Sequence, residues 1–172
     1  MTMPELETLP LVSMRVRTTS TDETRDFGAA LAPVAEPGDR LALVGPLGAG
    51  KTQFAKGFAV GLGIDDVVNS PSFTLMAEYE GRLILFHQDL YRLAGADEAL
   101  AGGLLDERQD DGVTLSEWAD RLDESLDPGR LTVTIEPTGE ETRDIDISGR
   151  GPTAARYVEA ARRWGAGGVE AA

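Results

Sequence analysis

One octapeptide constrains this chain more than any other feature. Gly45-Pro46-Leu47-Gly48-Ala49-Gly50-Lys51-Thr52 matches G-x-x-x-x-G-K-[ST] in full. Such a stretch cannot be regular structure. Gly48 and Gly50 lack Cβ, so the backbone can curl and bring several N–H groups, Ala49 among them, onto one anion. Before it, "RLALVG" is a short, nearly continuous apolar run, as expected of a strand buried on both faces. After it, "KTQFAKGFAVGLG" resumes helical periodicity and stops at Gly61 and Gly63. A helix starting at Lys51 adds its positive dipole end to the cradle. Lys51 can then reach the β- and γ-phosphate oxygens, and the Thr52 hydroxyl can ligate Mg²⁺. The motif therefore predicts binding of a nucleoside triphosphate.

A P-loop site needs a second metal carboxylate, at the C-terminal end of a neighbouring strand. Two residues fit. Glu117 ends the apolar run Val113-Thr114-Leu115, and Asp89 follows Leu83-Ile84-Leu85-Phe86. The loop Ser70-Pro71-Ser72-Phe73-Thr74 follows the cradle helix, where switch segments place a hydroxyl near the γ-phosphate. His87, the chain's one histidine, alternates with Leu83 and Leu85 and shares their face. With no serine or cysteine nucleophile assigned to it, it reads as a hydrogen-bonded loop anchor, supporting the loop that carries Asp89.

The remaining elements follow from local pattern. "SMRVRTTS" alternates as a first strand, and "STDETRDFGAALAPVA" reads as a helix with Ser20 and Glu23 as a capping box. Hairpins are expected for "FTLMAEY" with "RLILFH", and for "RLTVTIEP" with "RDIDISG". "ADEALAGGLLDERQ" and "ADRLDESL" read as helical, "VTLSEW" as a strand, and "GPTAARYVEAARRW" as a closing helix. Hairpins mixed with strand–helix alternation imply an α/β fold with a mixed parallel/antiparallel sheet flanked by helices. At 172 residues this is one domain. It is placed at residues 18–164, with 1–17 an unassigned N-terminal extension and 165–172 a flexible tail.

Composition excludes several classes. Without cysteine there is no disulfide, thiolate metal site or cysteine nucleophile. A net charge of -14 repels a phosphate backbone, so contact with nucleic acid is expected only through a partner. No run is long enough to span a membrane, and the N-terminus carries acids where a signal peptide would carry lysines, which points to the cytoplasm.

"GPLGAGKTQF", "SPSFTL", "HQDLYRL" and "LSEW", in that order and spacing, resemble the bacterial TsaE (YjeE) family. "TSTDETRDFGAALA" and "PGDRLAL" extend the resemblance to roughly residues 18–148. It implies a single P-loop NTPase domain that binds ATP/ADP and Mg²⁺ and hydrolyses ATP weakly. The activity would serve threonylcarbamoyladenosine modification of tRNA next to the anticodon. A TsaB–TsaD-type heterodimer would hold the tRNA and perform the transfer. Lys51 and Thr52 would bind phosphate and metal, Glu117 would be the metal carboxylate, and Ser72 would be the switch hydroxyl. Asp89 would orient the attacking water or an outer-shell metal water. Trp118 would lie beside the nucleotide or the partner face, with Thr21 and Arg143 near the nucleotide.

The chain departs from the family pattern at four positions. Pro46 replaces an aspartate, Ser72 a threonine, Gln88 an aromatic and Ser116 a valine or isoleucine. None removes a phosphate or metal ligand. Pro46 fixes φ and deletes one N–H from the loop. A P-loop small-molecule kinase is the alternative, but no arginine-rich lid lies between the cradle helix and Glu117.

Overall fold

The computed structural model describes residues 5, 7–46, 48–65, 68, 76–89, 107–117 and 129–166. Seven strands form one sheet: β1 (Leu11–Thr18), β2 (Arg40–Val44), β3 (Met76–Tyr79), β4 (Leu85–Asp89), β5 (Val113–Glu117), β6 (Leu131–Pro137) and β7 (Arg143–Arg150), in the order β1-β7-β6-β2-β5-β4-β3. The centre, β6-β2-β5-β4, is parallel. Both flanks are antiparallel, with β3 on β4 and with β7 between β6 and β1. Both expected hairpins are present, and the sheet is mixed as the sequence predicts.

Burial explains the two kinds of strand sequence. β4 and β5 are buried at every position, and they read as continuous runs. β6 and β1 alternate because one of their faces is open. The expected first strand begins earlier than "SMRVRTTS", at Leu11, so the sheet extends into the segment set apart as residues 1–17. The physical reason is the pairing with β7 along the whole strand, which carries Val16 into the core. Bidentate Arg15–Asp146 and Arg17–Asp144 pairs lie across the two strands.

Among the described residues three helices pack against the sheet: α1 (Thr21–Leu31), α2 (Lys51–Gly61) and α3 (Pro152–Ala166). α3 runs into residues 165 and 166, which the sequence assigns to the tail. Ser20 caps α1 as expected, its Oγ accepting from Glu23 N at 3.1 Å. The return half of the capping box is shifted by one residue. The Glu23 carboxylate accepts from Thr19 N and Thr19 Oγ1, both at 2.6 Å, and these bonds hold its pKa below the usual range. α2 ends in a Schellman motif, with Ile64 N donating to Ala59 O and Gly63 N to Val60 O. Phe27, Phe54, Phe58 and Leu31 from the helices meet Leu41, Leu43 and Leu115 of the sheet in one core.

A buried polar cluster fastens α3 to the entry of β2. Tyr157 Oη donates to Asp39 Oδ2 at 2.7 Å, and Arg156 Nη2 donates to Oδ1 at 2.8 Å. Burial, then the adjacent Asp39 charge, pushes the Tyr157 phenol far above its ordinary pKa. From sequence, Asp39 reads only as a turn residue. The regions expected as helices at 96–109 and 119–126 lie mostly or wholly outside the described residues. Within them only residues 107–109 are seen, as part of the 3₁₀ turn Glu107–Asp111.

Candidate nucleotide-binding site

The four parallel strands end on one side of the sheet, and the octapeptide leaves β2 on that side. Two of its glycines are required for different reasons. A Cβ on Gly45 would come within 2.5 Å of the Ile135 carbonyl on β6, so no other residue fits there. Gly50 caps α2 at φ +107, a left-handed conformation that a side chain would strain. Ala49 N donates to Pro46 O at 3.0 Å, which closes the turn without using the N–H that proline lacks. Leu47 lies outside the described residues.

Lys51 is nearly buried. Its Nζ donates to the carbonyls of Gly45 at 2.7 Å and Pro46 at 2.8 Å, so the ammonium lies inside the loop's curl. Thr52, on the next position of α2, donates from Oγ1 to Glu117 Oε1 at 3.2 Å. With its proton directed at Glu117, the hydroxyl keeps its lone pairs available to a cation. Glu117 and Asp89 are register partners at the ends of β5 and β4, and both are buried. The structure thus brings Lys51, Thr52, Glu117 and the loop together at one strand edge, with Asp89 beside them.

His87 departs from the expected role. Its Nε2 lies 2.6 Å from Glu117 Oε2, and the ring is fully buried. Among the described residues its partner is the Glu117 carboxylate, and the loop after Asp89 lies outside them. Its face is the one expected from alternation: His87 sits two residues before Asp89 on the same face, diagonal to Glu117 across the β4–β5 pair.

Arg143 reaches the loop from the start of β7. Its guanidinium donates to five backbone carbonyls, those of Gly48, Ala49, Gly139, Glu140 and Thr142. The bond to Ala49 O is 2.7 Å. Carbonyl and following N–H of a trans peptide point in opposite directions, so this bond turns the Gly50 N–H away from Arg143. Nothing in the sequence motif signals this clamp. Thr21 opens α1 and is exposed, and Thr24 in the same turn brings that turn close to the loop. A Cβ on Gly50 would lie 3.8 Å from Thr24 Cγ2. Thr24 is itself held by the Thr18 hydroxyl at 2.8 Å. Ser72 and Trp118 lie outside the described residues, as do Tyr91, Arg92 and Leu93.

The donor set suits a metal that arrives with its own ligands. Among the described residues no group of three or more His, Asp or Glu side chains could hold an ion alone. Mg²⁺ bound with a nucleotide needs only one or two protein oxygens, the rest coming from phosphate and water. Thr52 and Glu117 meet that requirement.

A family model described as "Threonylcarbamoyl adenosine biosynthesis protein TsaE" matches residues 18–145. The chain belongs to the TsaE family. The tRNA threonylcarbamoyladenosine biosynthesis protein TsaE of Bacillus subtilis (strain 168) is 44% identical over 139 residues, covering 80% of this chain and 87% of that protein. Its counterpart in Treponema pallidum (strain Nichols) is 36% identical over 135 residues, 78% of this chain and 100% of that protein. The crystal structure of Bacillus subtilis YdiB superposes with a TM-score of 0.73 at 38% identity, covering 90% of this chain and 97% of that one. The fold therefore joins the sequence motifs in assigning the family. Among the described residues no helix is long and apolar enough to cross a membrane.

Two departures from the family pattern explain each other. Gln88 and Ser116 are register partners on the sheet face opposite His87 and Leu115, and both are buried. Ser116 Oγ donates to Gln88 Oε1 at 2.9 Å. The aromatic-plus-aliphatic pair of the pattern is replaced here by a hydrogen-bonded pair. Gln88→Phe alone strips the Ser116 hydroxyl of its acceptor, and Ser116→Val alone removes a donor to Gln88. Each single variant is expected to lose about 1–3 kcal/mol. The double variant should lose less than the sum, with a coupling of about 1 kcal/mol in urea unfolding. Strict additivity would show that the two changes are unrelated.

Proposed function

We propose that this chain is a cytoplasmic, Mg²⁺-dependent ATPase of low intrinsic turnover. It serves threonylcarbamoyladenosine formation in tRNA by acting on a TsaB–TsaD-type partner pair. The observation that carries the reading is the contact between Thr52 and Glu117 at the C-terminal edge of adjacent parallel strands, beside the Lys51 ammonium. It supports a site for a metal–triphosphate, and membership of the family supports the pathway.

In this reading the loop from Gly48 to Gly50 cradles phosphate with its N–H groups, that of Ala49 leaving Pro46 O for the anion, and Arg143 fixes the loop's shape through the carbonyls. Lys51 leaves the Gly45 and Pro46 carbonyls for phosphate oxygens and offsets their charge. Thr52 and Glu117 hold Mg²⁺, which polarises the phosphoryl group when bound. Asp89, a buried acceptor beside Glu117, orients the attacking water by hydrogen bond. Catalysis here is positioning and charge stabilisation, with no covalent step on the protein. The net charge of -14 favours a tRNA held by the partner and not by this chain.

Phosphate release from ATP, measured with and without purified TsaB–TsaD, tests the proposal. Slow release by the chain alone, faster release with the pair, and sustained formation of modified adenosine are expected. If the pair plus this chain and ATP made no more modified adenosine than the pair alone, the proposal would fall. Transfer of the phosphoryl group to a small-molecule acceptor would point to a kinase instead.

A further inference from the structure

We infer that His87 is the positioning residue for Glu117: its imidazole holds the carboxylate in the orientation that receives Mg²⁺ with the nucleotide. The inference rests on the nucleotide-site reading above and adds to it a residue with no phosphate or metal contact of its own. Glu117 is a long side chain with three rotatable torsions, buried at the end of β5. A buried carboxylate must have both oxygens hydrogen-bonded or it is strongly disfavoured. Oε1 accepts from Thr52 on α2 and Oε2 pairs with His87 on β4, so two different elements pin the two oxygens. With Glu117 ionised, the proton of that second bond sits on His87 Nε2.

The ring is itself immobile. β4 lies between β5 and β3, with Leu115 and Ala77 as the register partners of His87 on either side, and the side chain has no exposure. Its other nitrogen, Nδ1, is buried and hydrogen-bonded to no described residue. Among the described residues the ring therefore anchors no second structure through that atom. Its neighbours on the same face, Leu85 and Leu115, are aliphatic. A position needed only for packing would be better filled by another such residue, which would leave no polar nitrogen unsatisfied. What the histidine adds is one donor, aimed at one carboxylate oxygen. Outer partners of this kind, when removed from metal sites, cost about 10–100-fold in metal affinity.

The test uses the full chain and reads ATP binding by calorimetry as Mg²⁺ is varied, with EDTA as the metal-free limit. His87→Leu is expected to raise the Mg²⁺ concentration that half-restores tight ATP binding by about tenfold or more. Its affinity for ATP in EDTA should match the wild type, because the phosphate cradle is untouched. His87→Gln, whose amide can present a donor near the position of Nε2, should return the midpoint to within about threefold of wild type. His87→Phe keeps ring volume without the donor, and it should behave as His87→Leu does. An unshifted midpoint in the Leu and Phe variants, with a wild type that responds to Mg²⁺, overturns this inference alone. So does a Gln variant as impaired as Leu, since packing would then be the role. A wild type whose ATP affinity ignores Mg²⁺ overturns the nucleotide-site reading, and this inference with it.

Discussion

Lys51→Met is expected to weaken ATP binding on the order of a hundredfold while leaving the protein folded. The ammonium is nearly buried and is held by the Gly45 and Pro46 carbonyls at 2.7 and 2.8 Å, at the centre of the loop's curl. Among the described residues, one other cation is bonded to the loop. That cation, Arg143 at the start of β7, is spread over five carbonyls and would have to abandon them. The chain carries a net charge of -14, so a polyanionic ligand enters against the overall field and depends on local positive charge. A charge-assisted hydrogen bond contributes about 1.5–3 kcal/mol, and a tenfold change in affinity is about 1.4 kcal/mol. Bonds between two ionised groups are roughly twice as strong as neutral ones, so two bonds to phosphate exceed the two carbonyl bonds that they replace by about 3 kcal/mol, roughly a hundredfold. Methionine keeps the aliphatic stem and its packing. Displacement of a fluorescent nucleotide, checked against unchanged far-UV circular dichroism, reads the effect. An affinity within threefold of wild type would mean that Lys51 does not contact phosphate.

What the sequence shows and what it hides divide along contact order. The cradle was legible because its parts are consecutive: a buried strand, a left-handed glycine and a helix N-terminus all lie within Arg40–Gly61. The hairpins and the Ser20 cap were legible for the same reason. Asp89 and Glu117 could be picked out because each ends a buried strand, but only the order β2-β5-β4 sets them side by side. The link from His87 to Glu117 needed the same information. Parity gave the face, and the neighbouring strand supplied the partner. Arg143 is harder still, since its grip on Ala49 depends on β7 folding back along β6, next to β2. β1 is longer than its weak alternation signals because its stabilising partner, β7, lies at the other end of the chain. Local pattern specifies elements, whereas the site is made by their adjacency.

The glycines of α1 and α2 give the second large effect, and there the sign itself discriminates. Gly57 sits inside α2, where glycine costs about 1 kcal/mol of helix propensity relative to alanine. Propensity alone therefore predicts that Gly57→Ala stabilises the protein. The packing predicts the opposite. A Cβ at Gly57 would lie 1.8 Å from the Arg25 carbonyl oxygen and 2.7 Å from Arg25 Cα, both backbone atoms of α1. Backbone cannot rotate away as a flexible side chain can. The contact is reciprocal: a Cβ at Gly28 of α1 would come within 2.4 Å of Phe54 O, and one at Gly61 within 2.5 Å of Ala29 O. Three glycines thus let the helices touch main chain to main chain, and one methyl forces them apart along their length. Overpacking of this kind costs about 1–3 kcal/mol, and more where nothing can yield. Gly57→Ala should therefore be destabilised by about 2–3 kcal/mol in urea unfolding, and Gly57→Val by more. The separation would also be felt at the site. α2 carries Lys51 and Thr52 on its first turn, and the first turn of α1 abuts Gly50. A folded Gly57→Ala protein should then bind ATP more weakly than wild type, although residue 57 lies a turn and more beyond the cradle. An alanine variant that melts higher than wild type would show that the helices are not in backbone contact.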